Sequence, residues 1–240
     1  MLKDIPEINK NYSEFLKGKK VVLVGPAYHT KNTLQKKLIH SYDIVVRMNF
    51  GFATNSPKVE RDIGDKINIW YSSLSLHFFD PHVLTYKEIR SMRKRGLKWM
   101  AHACSHHSYG EQQLRKINKD DIPIHRVDSS HFNFLQSKIG NKVSVGLLTI
   151  YDLLQFKIKE LYITGMSFFD TSVINKRRTY HTTYHSPKCG LKGLNYIDIQ
   201  KSNHNFKKEL KYFAKLYKFD KRISCDKVLK KTLKLKIGVK

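Results

Sequence analysis

Three groups of side chains in this 240-residue chain have types and spacings suited to chemistry on a bound anion or sugar. The first is His204, followed five residues later by Glu209, at the head of an amphipathic run from Phe206 to Tyr217. A helix N-terminus disfavours the charged form of a nearby imidazole, and a neutral imidazole is what a general base needs. The same position also suits a plain cap or surface histidine. The second group is Tyr180-His181-Thr-Thr-Tyr184-His185, just after Lys176-Arg177-Arg178. Two Tyr-His pairs beside three cations can grip a phosphate, or can be only a solvated basic loop. The third is Ser144-Val-Gly146, heading a run in which Leu147, Ile150, Leu153 and Leu154 recur at helical spacing. There the free N–H groups and the helix dipole can hold an anion, while a serine at that place can equally be a cap.

These groups need elements to bring them together. Val21 to Val24 is an unbroken apolar run, as in a strand buried on both faces, and it stops at Gly25 and Pro26. A glycine there lets backbone approach a phosphate or sugar with no Cβ in the way. Ile44 to Val46 reads as a second buried strand and runs into Arg47, Met48 and Asn49. Further strands read at 67–71, ending in Ser72 and Ser73, and at 97–102, 124–127 and 161–163, the last ending at Gly165. Helices read at 12–16, 34–39, 85–95, 111–118, 144–155 and 206–217. The pattern predicts an α/β fold, a single Rossmann-like domain over 1–240 with a mostly parallel sheet flanked by helices. Ligands of such sheets bind at the carboxyl ends of the strands. Residues 1–18 read as a polar arm with one short helix, and 51–66 read as a loop. Residues 170–203 read as an active-site loop or lid, since a stretch of that length without a packed element is usually functional. In the basic C-terminal segment 221–240, Leu229, Leu233, Leu235 and Ile237 interleave with lysines. That fits either a membrane-surface segment or a final amphipathic edge strand.

Composition sets outer bounds. The chain is 40% hydrophobic and 12% aromatic, which allows a real core, and its net charge is +25 from 45 basic and 20 acidic residues. Such a surface attracts polyanions without saying which. The three cysteines, Cys104, Cys189 and Cys225, form no CxxC and no metal-ligand spacing, which points to a reducing compartment. His102, His106 and His107 read as a polar loop rather than a metal site. The first residues hold no apolar stretch of signal-peptide type, and no run of 18 apolar residues occurs. The expected setting is cytoplasmic, with peripheral attachment at the inner membrane face as an option. No GxGxxG follows the first strand, which argues against an NAD-dependent enzyme.

Taken together the blocks resemble the animal-type sialyltransferases. The family's long motif resembles Val21 to Gly25 followed by Tyr42-Asp43-Ile-Val-Val-Arg47-Met48-Asn49, and Gly64-Asp65-Lys66 is similar to the Gly-x-Lys that follows it. The short motif resembles Ser144-Val-Gly146-Leu-Leu through Tyr162-Ile-Thr-Gly165. His204 and Glu209 match His-x4-Glu, and Tyr184-His185, with His181 as rival, approximates the aromatic-histidine motif. The resemblance spans about residues 19–217. The chain also resembles the smaller bacterial sialyltransferases.

The resemblance implies a GT-A-like variant of the sialyltransferase fold. It further implies an inverting, metal-independent transfer of sialic acid, or of the related ulosonic acid Kdo, from a CMP-activated donor to a glycan or glycolipid hydroxyl. Asn49, Ser144 and Gly146 would hold the cytidine nucleotide, and Gly25 and Gly165 would line the same cleft. His204 would be the general base, and His185, helped by Tyr184, would stabilise the departing CMP. No cofactor or metal is expected. The expected partners are the nucleotide-sugar donor, the acceptor and an anionic membrane surface, without nucleic acid. Two departures bear on the setting. Pro26 stands where the family has Asn. Val21 and Ile158 stand where secretory-pathway members have a linking Cys pair, which favours a cytoplasmic enzyme of bacterial or viral type, in lipopolysaccharide or capsule biosynthesis. A nucleic-acid-binding protein without transfer activity is the rival from another class, and a member that binds CMP without transferring is a third reading.

Overall fold

Alternation along each strand divides the interior into two faces. The computed structural model describes residues 7–49, 57–74, 84–103, 108–168 and 204–237. Its strands are β1 (Lys20–Val24), β2 (Ile44–Met48), β3 (Ile69–Ser72), β4 (Trp99–His102), β5 (Ile124–Arg126), β6 (Glu160–Thr164) and β7 (Ile223–Cys225). They form one open sheet in the order β5-β4-β3-β2-β1-β6-β7, and every neighbouring pair is parallel. The helices are α1 (Glu7–Leu16), α2 (Lys36–His40), α3 (Pro57–Ile63), α4 (Tyr86–Lys94), α5 (Ser108–Ile117), α6 (Ser129–Ile139), α7 (Val145–Leu154), α8 (Phe206–Phe219) and α9 (Lys227–Ile237).

On one face Val21 and Leu23 of β1, Ile69 and Tyr71 of β3, and Leu161 and Ile163 of β6 pack with residues of α1, α6, α7, α8 and α9. On the other, Val22, Val24 and Val45 meet α2 and α3, while Trp70 and Met100 meet α4 and α5. The unbroken apolar run of β1 is thus explained by burial on both sides. Each such side chain taken fully out of water stabilises the fold by about 1.5–3 kcal/mol.

Three expectations are corrected, and one strand is added. The N-terminal segment is not a polar arm: α1 extends from Glu7, and Tyr12 and Leu16 are wholly buried. Residues 57–63, expected as loop, form α3, with Val59 and Ile63 buried against the β1–β2 face. The short strand β7 adds an edge beside β6. The C-terminal run is a helix rather than an edge strand. Leu229, Thr232 and Leu233 are buried at helical spacing, and the Asp226 carboxylate accepts the Leu229 N–H at 2.8 Å as a cap. The alternation with lysine that suggested a strand is a local coincidence inside a 3.6-residue period.

One polar centre lies inside the larger apolar cluster. Asp152 of α7 is wholly buried. Its Oδ2 accepts from the Tyr71 hydroxyl at 2.7 Å and lies 3.0 Å from His125 Nε2, and its Oδ1 lies 3.2 Å from His131 Nδ1. Tyr71 in turn meets Tyr12 at 2.8 Å, and Tyr12 stacks on His125. Elements α1, β3, β5, α6 and α7 are tied through one carboxylate. Burial works to raise Asp152, but His125, His131 and Tyr71 more than offset it, so the group sits at about 2.

Asp152→Asn should lower the unfolding free energy by about 2–3 kcal/mol, because it leaves buried donors without an ionised acceptor. Chemical denaturation at pH 7 checks this, and an unchanged midpoint would show the centre to be energetically neutral. Asp152 is depressed below its unfolded value, so its contribution holds above about pH 4 and is lost as pH falls toward 2.

Candidate functional site

The sheet order places β1 between β2 and β6. The chain moves outward from β1 through β2 to β5, then crosses back to β6, so β1 and β6 form the topological switch point. Connections leave the carboxyl ends of these two strands in opposite directions and open a crevice there. Gly25 and Gly165 stand on its floor. A Cβ on Gly25 would lie 2.2 Å from the Gly165 carbonyl oxygen, and a Cβ on Gly165 would lie 2.4 Å from the Gly25 carbonyl oxygen. Gly165 also has φ +69°, a left-handed conformation that a side chain would strain. The Ala27 N–H donates to the Gly165 carbonyl at 2.9 Å. Both glycines are required by the approach of one backbone to the other, a requirement separate from any ligand.

Met166, next to Gly165, gathers the other edge residues. Its Sδ lies 3.0 Å from the Cβ position of Gly25, and its Cε lies 2.7 Å from that of Gly146, which is also 3.6 Å from Met48 Sδ. The first turn of α7 therefore stands directly over the ends of β1, β2 and β6. Asn49 follows Met48 with φ +45°, and its main-chain oxygen accepts from Trp70 Nε1 at 2.7 Å. Its side-chain Oδ1 is buried and has no hydrogen-bond partner among the described residues. Leu74 and Phe168, after β3 and β6, are also left-handed. Left-handed non-glycine residues thus follow β2, β3 and β6 at the carboxyl edge, a kind of strain that functional sites commonly store.

The third corner comes from α8. His204 Nδ1 donates to the Lys142 carbonyl at 2.9 Å, so the proton is on Nδ1 and Nε2 is the free lone pair in the neutral ring. Burial is the main cause that lowers its pKa, and the Lys142 charge adds to it against the hydrogen bond. The neutral state expected from the sequence is thus produced first by burial. His204 sits one residue before the cap Asn205, whose Oδ1 accepts from the Lys208 N–H at 3.1 Å. Glu209 is wholly buried, and its carboxylate accepts from the Ser144 N–H at 2.8 Å and from the Ser144 hydroxyl. The same hydroxyl oxygen accepts the Leu147 N–H at 3.3 Å. Ser144 is a helix cap locked to Glu209, with its hydroxyl committed to protein groups.

Gly25, Asn49, Ser144, Gly146, Gly165 and His204 are therefore linked through Met166 and the segment 142–146. Tyr184, His185, His181 and Lys176 to Arg178 lie outside the described residues, as does the rest of the 170–203 segment. Within 102–107, His106 and His107 also lie outside them. Among the described residues no cluster of three metal-ligating side chains occurs. Arg47, in the most specific matched string, points away from this crevice's chemistry. It is wholly buried and donates to the carbonyls of Ile63, Gly64 and Lys66. Gly64-Asp65-Lys66 is thus the loop that Arg47 anchors. Ser72 is spent on a local turn, its Oγ accepting the Leu74 N–H. Met166 carried no signal in the sequence, since a methionine after a strand-end glycine is indistinguishable from core.

Glu209 titrates where this site would work. Burial raises it to about 7 against the two hydrogen bonds from Ser144. A carboxyl raised above its unfolded value stabilises the fold below about pH 4.5, and that contribution is lost as pH rises through 7. Glu209→Gln keeps the shape and an acceptor for Ser144. It should remove a decline of up to about 3 kcal/mol between those pH values. Denaturant midpoints from pH 4.5 to 8 check this, and parallel profiles for both proteins would refute it.

No protein-family profile matches the chain, and no curated protein sequence does. Solved structures do match. The sialyltransferase CstII from Campylobacter jejuni, in complex with cytidine-5′-monophosphate, superposes with TM-score 0.52 at 17% identity, over 87% of this chain and 80% of that one. A mammalian sialyltransferase gives 0.52 at 13% identity, over 94% and 81%. The α-2,3-sialyltransferase Cst-I from Campylobacter jejuni gives 0.51 at 13%, over 87% and 75%. At these identities what is shared is architecture, and the chain has the single-sheet α/β fold of the solved sialyltransferases.

Proposed function

We propose that the chain is a glycosyltransferase that moves sialic acid, or the related ulosonic acid Kdo, from a CMP-activated donor to a hydroxyl of a glycan or glycolipid. The observations that carry the reading are an unpartnered Asn49 Oδ1 at the end of β2, next to β1 in the sheet, and a His204 whose Nδ1 donates to the Lys142 carbonyl just before α7. The first supplies an acceptor for a nucleoside donor group. The second offers Nε2 as a base. The shared fold supports the same reading, and the solved CstII was crystallised with CMP.

The chemistry follows from the donor. The bond from the anomeric carbon to the CMP phosphate breaks while the acceptor oxygen bonds to the opposite face, which inverts that centre. His204 Nε2 takes the acceptor's proton. The leaving phosphate collects charge and needs donors aimed at it; His185 and Tyr184 are proposed for that role, with His181 as the rival. The transfer is proposed to need no metal ion. Setting and acceptor stay part of the proposal: a cytoplasmic enzyme of surface-glycan assembly, working against an anionic membrane face with its excess of lysine. Among the described residues no helix is long and apolar enough to cross a membrane.

Calorimetric titration with CMP, UDP, GDP, NAD and RNA tests the class, with binding of CMP alone as the expected result. Steeply salt-dependent RNA binding without CMP binding would replace the reading by the nucleic-acid one. His204→Ala should cut transfer roughly 100-fold or more, the scale of a lost general base, while the CMP dissociation constant stays within about twofold; undiminished turnover removes His204 from the mechanism. Asn49→Ala should weaken CMP about tenfold through loss of one buried hydrogen bond, and an unchanged affinity sinks that assignment. Chelator should leave transfer intact, whereas a loss reversed by Mg²⁺ or Mn²⁺ would contradict the metal-free route.

A further inference from the structure

Pro26 opens the loop that follows β1, and that loop carries a largely buried histidine. Residues Tyr28–Thr30 form a single 3₁₀ turn just after Gly25 and Pro26. The turn is pinned to the crevice floor. The Ala27 N–H binds the Gly165 carbonyl, the Thr30 hydroxyl donates to the Ala27 carbonyl at 2.9 Å, and Thr30 Cγ2 lies 3.0 Å from the Cβ position of Gly165. The His29 side chain is 8% exposed, and its Nε2 lies 3.0 Å from Asp226 Oδ2. Its Nδ1 is buried and has no hydrogen-bond partner among the described residues.

Asp226 is itself held fast. It also accepts from the Gly165 N–H at 2.9 Å, the Thr164 hydroxyl at 3.0 Å and the Leu229 N–H at 2.8 Å. Burial works to raise it, but His29 and these donors outweigh burial and keep the carboxyl below its usual range. An ionised Asp226 only accepts, so Nε2 is the donor of this pair and Nδ1 is the nitrogen left for another partner. A buried polar atom without a partner is unfavourable. At a switch-point crevice the natural partner is a ligand, and a hydroxyl, which both donates and accepts, can serve it.

We propose that His29, oriented by Asp226, is a donor-site residue whose Nδ1 hydrogen-bonds a ribose hydroxyl of the bound nucleotide. The inference rests on the CMP reading above and assigns the part of the nucleotide that meets the β1 loop. It also gives the last helix a function, because the residue that caps α9 is the one that fixes the imidazole.

The test is calorimetric titration of the full chain with CMP, 2′-deoxy-CMP and 3′-deoxy-CMP, in the wild type and in His29→Gln. Glutamine keeps an amide near the Nε2 position for Asp226 and removes the hydrogen-bonding nitrogen at Nδ1. The wild type should bind CMP about tenfold more tightly than one of the deoxy forms. His29→Gln should bind CMP about tenfold more weakly and discriminate the deoxy form by less than about twofold. A merely structural role would weaken all three nucleotides equally, and full discrimination retained in the variant overturns the proposal. CMP binding by the wild type without discrimination overturns it as well, and that arm needs no variant to fold. A wild type that binds no CMP overturns instead the nucleotide reading on which the proposal stands.

Discussion

The mutual approach of Gly25 and Gly165 is the constraint from which the rest follows. Two backbones at the ends of adjacent parallel strands come close enough that neither residue can carry a Cβ. The approach fixes where β1 and β6 end relative to each other, in register Val24 to Thr164. It also fixes the start of both departing loops. One loop carries the 3₁₀ turn and His29; the other carries Met166, which then occupies the space beneath the first turn of α7. A larger residue at either glycine would part the strands and move every group at the edge together. Such a tight contact suits a site that must hold a ligand within a fraction of an ångström.

Around that floor stand buried carboxylates in a chain of net charge +25. Each is stabilised in a different way, and the differences sort their roles. Asp152 is surrounded by donors on all sides and is driven down to about 2, which makes it a structural tie deep in the larger cluster. Glu209 receives donors from a single residue and is raised to about 7, so it joins α8 to α7 without a full counter-charge. Asp226 is held differently again: its Oδ2 is shared by the Gly165 N–H, the Thr164 hydroxyl and an imidazole whose other nitrogen is unpaired, and its Oδ1 takes the Leu229 N–H. Only the last leaves hydrogen-bonding capacity unspent at the crevice. The surface lysines contribute little to this division, since exposed charges are screened by water and salt.

Much of the frame was legible because buried parallel strands write a simple signature. Continuous apolar runs stopping at Gly25, Asn49 and Gly165 located three strand ends, and the helical repeat after Ser144 located α7. Elements held by tertiary contact were harder to read. Helix α3 is short and charged and is recognisable only by Val59 and Ile63 reaching the sheet. Helix α1 was read only as its last residues, because its anchor, Tyr12, meets a partner 59 residues away. Strand β7 has three residues, too few for any period to show. At the site, the sequence placed Asn49 at a strand end and His204 at a helix start, where the structure has them. It could not show that the Ser144 hydroxyl is committed to Glu209, or that Arg47 serves the 63–66 loop. Hydrogen-bond commitments of that kind join residues far apart in the chain. The Asp226–His29 pair spans 197 residues and leaves no local trace.

The arrangement also explains why an imidazole and a carboxyl in such different surroundings can start one helix. His204 gives its Nδ1 proton to a main-chain carbonyl, which has no charge, so its Nε2 is left as a modest base with its charged form disfavoured by burial. Had the partner been a carboxylate, as for His131 with Asp152, the ring would be pushed toward the charged form instead. Glu209, five residues on, is the nearest acid in sequence, yet its oxygens face Ser144 and not the imidazole among the contacts described. The spacing of the two residues therefore separates their functions. A helix cap intervenes, Asn205 turns the chain, and the acid is carried inward to hold α7 while the histidine stays at the rim. A neutral imidazole at the edge and a buried carboxyl under it are two consequences of one helix start.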